Sequence, residues 1–253
     1  MSKKYSKNHN KSSKNQVIYG IHSVNAALLN KKRIHSELIL NENVSFPVEK
    51  FKSKIKKIRF LDQKQFKKLY GNEQSTQGIV LITEEFFRPT LDEFLQIESK
   101  KTKSIILVLD QITDPQNIGS IMRSCALFDC KGIIVSKDNS PELTPSLLKA
   151  ASGAAELVNY FKVTNIRRSL LELKKKGYWI YGFESSSDGK SDLNFEKKSV
   201  LVFGSEGKGI RDLIKKECDI FVKLKTQDVS QFQIDSLNVS NATSIALHEF
   251  YKS

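Results

Sequence analysis

The sequence predicts an α/β chain in two parts, a small N-terminal α/β unit and a larger C-terminal one built on a mostly parallel sheet. Three observations predict it. From Ser104 onward, apolar runs of strand length alternate with segments of helical period. The runs are continuous rather than alternating, as in SIILVLD and SVLVFG, which implies strands buried on both faces under covering helices. Between the two parts, residues 84–103 hold Pro89, one weakly amphipathic turn (LDEFLQI) and the polar stretch ESKKTKS, the composition of a linker.

Residues 1–16 carry Lys3, Lys4, Lys7, Lys11 and Lys14 with no acid and almost no apolar residue, so they predict a disordered basic arm. Residues 17–83 alternate short apolar runs with helical segments: IHSVNAALLN, ELILN, FPVEKFKSKI, KIRFL, DQKQFKKLY and GIVLI. That is the pattern of a small α/β sandwich. In residues 104–253 the order reads SIILVLD, NIGSIMRSCALF, GIIVS, a helix near 146–153, LVNYFKV, IRRSLLELKKK, GYWIYGF, SVLVFG, IRDLIKKE, DIFVKL and LNVSNATSIALHEFYK. Open sheets of this kind bind ligands in the crevice beyond the carboxyl ends of their strands.

Bulk properties bound the function. No apolar run approaches the roughly 18 residues of a membrane span, and the lysine-rich N-terminus leads into no apolar stretch, so the cytoplasm is expected. Cys125, Cys130 and Cys218 show neither C-x-x-C spacing nor a nearby histidine pair, so no metal is expected and the thiols read as free and buried. The net charge of +13 fits a polyanionic partner, since lysines that neutralise phosphates release counterions. Compositional drift is the competing account, because 34 of the 41 basic residues are lysine.

Three loops at strand ends hold unusual chemistry: DQITDPQN, GSEGKG and TQDVSQFQIDSLNVS. The second is not a phosphate loop of Walker type, because Lys208 is followed by Gly209 and no hydroxyl is placed for magnesium. Nor is it a dinucleotide fingerprint, because Gly204, Gly207 and Gly209 read G-x-x-G-x-G, the reverse order. A plain turn whose glycines supply positive φ accounts for Gly207 and Gly209 and leaves the Glu206 carboxylate unexplained. In the first loop, Pro115 and Asn117 can set the turn and cap a helix, and Arg123 follows six residues later, so the two side chains need not share a face. Arg123 is one of only seven arginines and sits among apolar helix positions; a surface ion pair is its structural alternative. In the third, the helix is expected to begin near Leu237, with Ser236 and Asn238 competing to cap it.

DQITDPQNIGSIMRS, LVFGSEGKGI and SLNVSNATSIAL, in this order and at these distances, resemble the three signature motifs of the SpoU (TrmH) family of RNA 2′-O-ribose methyltransferases, in the SPOUT superfamily. The match covers about residues 105–250. Residues 18–83, from YGIHSVNAALL to QSTQGIVLI, also resemble the small RNA-binding domain of the subgroup that modifies a guanosine in 23S ribosomal RNA. The resemblance implies a C-terminal domain tied in a deep trefoil knot, an exception to the rule against knots, and a homodimer. It implies S-adenosylmethionine as cofactor, held by backbone at Gly204, Leu224 and Leu237, with glycine at 204 letting adenine or ribose approach the main chain. It implies a catalytic set of Arg123, Asn117, Glu206, Ser236 and Asn238.

A guanidinium is effectively always protonated, so Arg123 is expected to clamp the phosphate beside the target ribose rather than act as a base. Two departures from the family stand out. Val222-Lys223-Leu224-Lys225-Thr226 replaces the usual Ile-Pro-Met step, with the longer QDVSQFQID after it, and the TQG of QSTQGIVLI replaces a usual histidine. The competing readings are a transfer-RNA methyltransferase and a non-catalytic RNA-binding assembly factor.

Overall fold

A computed structural model describes residues 15–71, 73–184, 194–227 and 236–253. The basic arm expected over residues 1–16 falls outside them except for its end. Asn15 and Gln16 already belong to the first strand, β1 (Asn15–Tyr19), because they pair with Glu84 and Thr83.

The N-terminal part continues with α1 (Ile21–Leu29), β2 (His35–Asn41), two single 3-10 turns at Val48–Lys50 and Lys52–Lys54, β3 (Ile55–Leu61), α2 (Gln63–Tyr70), the short α3 (Glu73–Thr76) and β4 (Ile79–Glu84). Its sheet runs β1-β4-β2-β3, with β2 and β3 parallel and the other two pairs antiparallel. Period-two alternation decides the layers. Leu38, Leu40, Ile79 and Leu81 join Val24, Ala27 and Leu28 of α1, while Ile39 and Val80 join Phe66 of α2 on the other face. Asp62 caps α2 by accepting from the Gln65 amide at 2.8 Å.

The segment expected as a linker carries a docked two-turn helix, α4 (Leu91–Glu98). Thr90 and Glu93 form a capping box, and Phe94 and Leu95 are buried in the core of the C-terminal part. The 3.6-residue spacing of those two apolar residues with Leu91 was too short a run to announce a packed helix in the sequence.

There follow β5 (Ser104–Asp110), α5 (Pro115–Leu127), β6 (Gly132–Ser136), α6 (Pro145–Ala151), a 3-10 turn at Ala154–Glu156, β7 (Asn159–Val163), α7 (Ile166–Lys175), β8 (Trp179–Phe183), β9 (Lys198–Gly204), α8 (Asp212–Lys215), β10 (Ile220–Val222) and α9 (Val239–Lys252). The six strands are parallel throughout, in the order β10-β8-β9-β5-β6-β7. Every residue of β5 is buried, as its unbroken apolar run demands. Ile105, Leu107, Leu109, Leu201 and Phe203 face α5, α6 and α9; Ile106, Val108, Val200 and Val202 face α4, α7 and α8. Gly119 lets α5 press on α6, because a β-carbon there would lie 2.4 Å from that of Ala150. The three cysteines are free; Cys125 and Cys130 are buried and Cys218 half-buried. Among the described residues no helix is long and apolar enough to cross a membrane.

One apolar cluster runs continuously from α1 and the N-terminal sheet into α5 and α6. Polar contacts lock the same seam. Ser23 donates to the Leu148 carbonyl at 2.8 Å. Arg33 makes a bidentate pair with Glu156, Nε and Nη2 each 2.8 Å from a carboxylate oxygen, and Asn30 donates to the same carboxylate at 2.6 Å. Arg88 reaches the Val158 and Ala155 carbonyls, and the Phe86 ring lies between the two guanidinium groups.

The Arg33 and Glu156 side chains are 1% and 6% exposed, so removing one partner strands a charge in a dry site. Glu156→Ala is therefore expected to lower the unfolding free energy by about 3–5 kcal/mol in a urea titration. Glu172→Ala, which breaks a solvent-exposed pair with Lys175, is expected to leave the same titration unchanged within error.

Candidate functional site

β5 and β9 are adjacent, with Asp110 in register with Gly204, and the chain leaves both at the same edge of the sheet. From β5 the chain first winds outward through β6 and β7, then returns on the other side through β8 and β9. The strand order reverses at this pair, which is where an open parallel sheet leaves a crevice.

The loop after β5 is set by Asp114, which caps α5 by accepting from the amides of Gln116 at 3.0 Å and Asn117 at 3.4 Å, with Pro115 at the first helical position. The cap is thus Asp114 and not Asn117. Asn117, the third residue of the helix, is released for another contact. The loop after β9 closes on itself through the Gly209 amide and the Ser205 carbonyl, 2.8 Å apart. Gly209 alone of its glycines takes positive φ, at 65°; Gly207 does not. At Gly204 a β-carbon would lie 2.0 Å from the Gly209 carbonyl carbon, so the loop's own backbone requires that glycine, whatever ligand approaches. At Gly207 a β-carbon would meet nothing within 4 Å.

The third segment arrives as the N-terminus of α9. Asn238, and not Ser236, is its cap: Asn238 Oδ1 accepts from the Ser240 amide at 2.9 Å and the Ser240 hydroxyl at 2.6 Å. The other end of the same side chain crosses to both other loops. Asn238 Nδ2 donates to Glu206 Oε1 at 2.8 Å and to Asn117 Oδ1 at 3.0 Å. Glu206 also accepts from the Val239 amide at 3.4 Å, which puts its carboxylate at the positive end of a 14-residue helix. An ionised carboxylate only accepts, so the Asn238 nitrogen must face it.

Residues 104–248 match the SpoU rRNA Methylase family, and residues 17–89 match the RNA 2′-O ribose methyltransferase substrate-binding family. The chain is 33% identical to the 23S rRNA (guanosine-2′-O-)-methyltransferase RlmB of Coxiella burnetii, over 94% of this chain and 95% of that one. The chain belongs to the SpoU rRNA methylase family. It is 34% identical to the RlmB enzyme of Shewanella oneidensis, over 93% of this chain and 96% of that one. The fold is shared with the SpoU methyltransferase AviRb of Streptomyces viridochromogenes, solved in complex with AdoMet, at a TM-score of 0.76 and 17% identity, over 93% of this chain and 89% of that one.

Not every residue expected at this SpoU site joins the cluster. Ser236 is exposed beside it and makes no hydrogen bond to the described residues. Leu237, 36% exposed, directly precedes Asn238, whereas Leu224 is half-buried against the main apolar cluster. The longer stretch QDVSQFQID lies outside the described residues from 228 to 235. Arg123 is exposed on α5 and forms no ion pair with the described residues. Six helical residues carry it about 9 Å along the axis and roughly 240° around it from Asn117, so it leaves the cluster of its own chain.

Sequence reasoning missed Asp110 and Arg211. Asp110 is fully buried at the end of β5 and accepts from Arg211 Nη2 at 2.6 Å, from Nε at 2.9 Å and from the Arg211 amide at 3.0 Å. The carboxylate beside it holds the Arg211 guanidinium above its ordinary pKa, and the pair staples the end of the glycine loop to the strand next door. An acid directly after five consecutive apolar strand residues, Ile105 to Leu109, was the signal that could have found it. Lys215 and Glu184, 2.7 Å apart, brace the same loop from β8.

These contacts separate two glycines of one motif. Gly204→Ala is expected to destabilise the fold by about 1–3 kcal/mol through overpacking against Gly209, and Gly207→Ala to leave it within about 0.5 kcal/mol. Chemical denaturation of both variants checks the difference.

Proposed function

We propose that this chain transfers a methyl group from S-adenosylmethionine to the 2′-hydroxyl of a guanosine ribose in 23S ribosomal RNA, as a cytoplasmic homodimer. The observation that carries the reading is the convergence of Asn117, Glu206 and Asn238 from three distant segments at the carboxyl ends of β5 and β9. The RlmB enzymes that align over nearly the whole chain support the substrate. The residues also fit the cofactor: Gly207 is a glycine that no neighbour among the described residues requires, and the exposed Leu237 adjoins the Asn238 bridge.

When bound, S-adenosylmethionine supplies an electrophilic methyl group on a positively charged sulfur. Backbone groups at Gly204, Leu224 and Leu237 hold it in this reading, and Asn117, Glu206, Ser236 and Asn238 order the loops around it. The ribose hydroxyl is a weak nucleophile, so alignment and relief of its proton are the tasks left to side chains. Arg123 is assigned the alignment: its planar fork grips the phosphate next to the target ribose, its charge stabilises the developing oxyanion, and a phosphate oxygen or a water molecule takes the hydroxyl proton.

The position of Arg123 supports the homodimer. It has no acidic partner among the described residues and is turned away from the cluster of its own chain. Leu127, Ile245 and Tyr251, on the same two helices α5 and α9, are 76%, 43% and 57% exposed. A second copy packed on that face covers them and delivers its Arg123 to the first copy's Asn238. The trefoil knot of the family belongs to the same proposal.

Arg123→Lys is expected to keep the fold and cofactor affinity and to lose roughly 100-fold in kcat, since a point charge does not reproduce the fork. The assay is transfer of labelled methyl from S-adenosylmethionine into unmethylated 23S rRNA; label entering transfer RNA instead would overturn the substrate. Mixing Arg123→Ala with Asn238→Ala chains is expected to restore about a quarter of parent turnover, because half the dimers are mixed and each carries one complete site. No recovery on mixing would return Arg123 to its own chain.

A further inference from the structure

An open cavity of about 460 Å3 lies in the N-terminal part, between the loop that follows α1 and the start of β3. Asn30, Lys31, Arg33, His35, Lys54 and Lys56 line it. No carboxylate does. Glu156, which binds two of the lining residues, is occupied by Arg33 and by the Asn30 amide, so that buried pair is neutral and the three lysines remain uncompensated. Lys54 spends one of its three donors on the Leu28 carbonyl at 3.2 Å and keeps two. Lys31 and Lys56 are exposed and have no partner among the described residues. His35 adds no charge. Its Nδ1 lies 3.1 Å from the Thr83 hydroxyl, whose own proton goes to the Ile34 carbonyl, so Nδ1 donates; burial and the Arg33 charge hold the ring below its ordinary pKa.

Cations crowd one concave spot here because β3 is an edge strand. Lys54 and Lys56 flank Ile55, which pairs with His35, and nothing in the described chain covers the open side. The same edge continues into an exposed track: Phe60 is 59% exposed, and Lys64, Lys67 and Lys68 lie exposed on α2 just after it. Spaced ammonium groups with a bare aromatic face among them suit a nucleic-acid strand, whose phosphates and bases alternate.

We propose that this cavity seats a phosphodiester group of the RNA substrate, with Lys31, Lys54 and Lys56 as its donors, away from the methyl-transfer site. The assignment deepens the RNA reading above and rests on it. Asn30 and Arg33 form the cavity floor and bind Glu156, and Glu156 closes the turn after α6, whose Ser146 hydroxyl accepts from Gln116 at the start of α5. A phosphate held here is thereby tied at a set distance to the loop carrying Asn117.

The test is the double variant Lys31→Ala, Lys56→Ala, both at exposed positions, with Lys100→Ala, Lys216→Ala as a control that removes equal charge from exposed sites in the rest of the chain. Dissociation constants for unmethylated 23S rRNA are measured from about 50 to 300 mM salt. Loss of two phosphate contacts is expected to flatten the slope of log K against log salt by about 1.5, with a smaller change in the control. KM for RNA is expected to rise while kcat at saturating RNA holds. A slope equal to the parent's, or equal to the control's, would overturn the assignment. So would inorganic phosphate at millimolar concentration raising Tm of the parent alone while the double variant keeps the parent's RNA salt slope, which would give the cavity to free phosphate. The binding readout involves no methyl transfer, so failure to methylate 23S rRNA overturns the proposed reaction and leaves the salt slopes to judge the cavity.

Discussion

The amide of Asn238 holds the site together by working in two directions. Its oxygen caps α9, where the first amides of a helix otherwise lack partners, and its nitrogen joins Glu206 and Asn117. Both halves are needed at once. If the oxygen leaves the helix, α9 loses its cap; if the nitrogen leaves the carboxylate, Glu206 keeps only a long contact to the Val239 amide. One planar group therefore sets the start of α9, the aim of the glycine loop and the first turn of α5 relative to one another, and it does so where water has access. A charge-assisted bond of 2.8 Å at the N-terminus of a helix is well suited to that, since the helix dipole favours the carboxylate it binds.

Beneath this bridge, rigidity comes from buried charge. Asp110 and Arg211 staple neighbouring strand ends, and Arg33 with Glu156 staples the N-terminal part to the turn after α6. Their contribution is geometric, because a buried carboxylate gripped at two points by a planar guanidinium tolerates few arrangements of its partner. In a methyltransferase, where in-line approach governs the rate, supports that restrict the loops act on the chemistry at second hand. The seam between the two parts matters for the same reason: RNA gripped by the N-terminal part is useful only if that part stands at a set distance from the site.

How much was legible in the residues depended on the kind of information. The continuous apolar runs declared a buried parallel sheet because every position of such a strand meets a neighbour, and β5 is buried throughout. The motifs announced Asn117, Glu206 and Asn238, since a resemblance records residues that act together without saying how. Caps were read less well. Asn117 was expected to cap α5 and Ser236 competed for α9, yet Asp114 and Asn238 hold those places. Side chains of the same capping class stand within three residues of one another in both loops, and local propensity does not choose among them. The docked helix α4 was hidden because a two-turn amphipathic segment carries too few apolar positions to establish a period.

By itself the sequence determined the class of fold, the division into two unlike parts, the three chemically loaded loops and their family, because each is written in nearest-neighbour pattern or in spacing along the chain. Tertiary structure alone decided which member of each loop meets which. It showed that Gly204 answers to Gly209 whatever ligand approaches, that Asp110 has a cation to neutralise it, and that Arg123 turns away from the cluster of its own chain. Those outcomes depend on contacts between residues up to 121 positions apart, and on the rotation of a helix about its axis. No local pattern encodes either, because the free energy that selects them is released only when the sheet has brought its strand ends together.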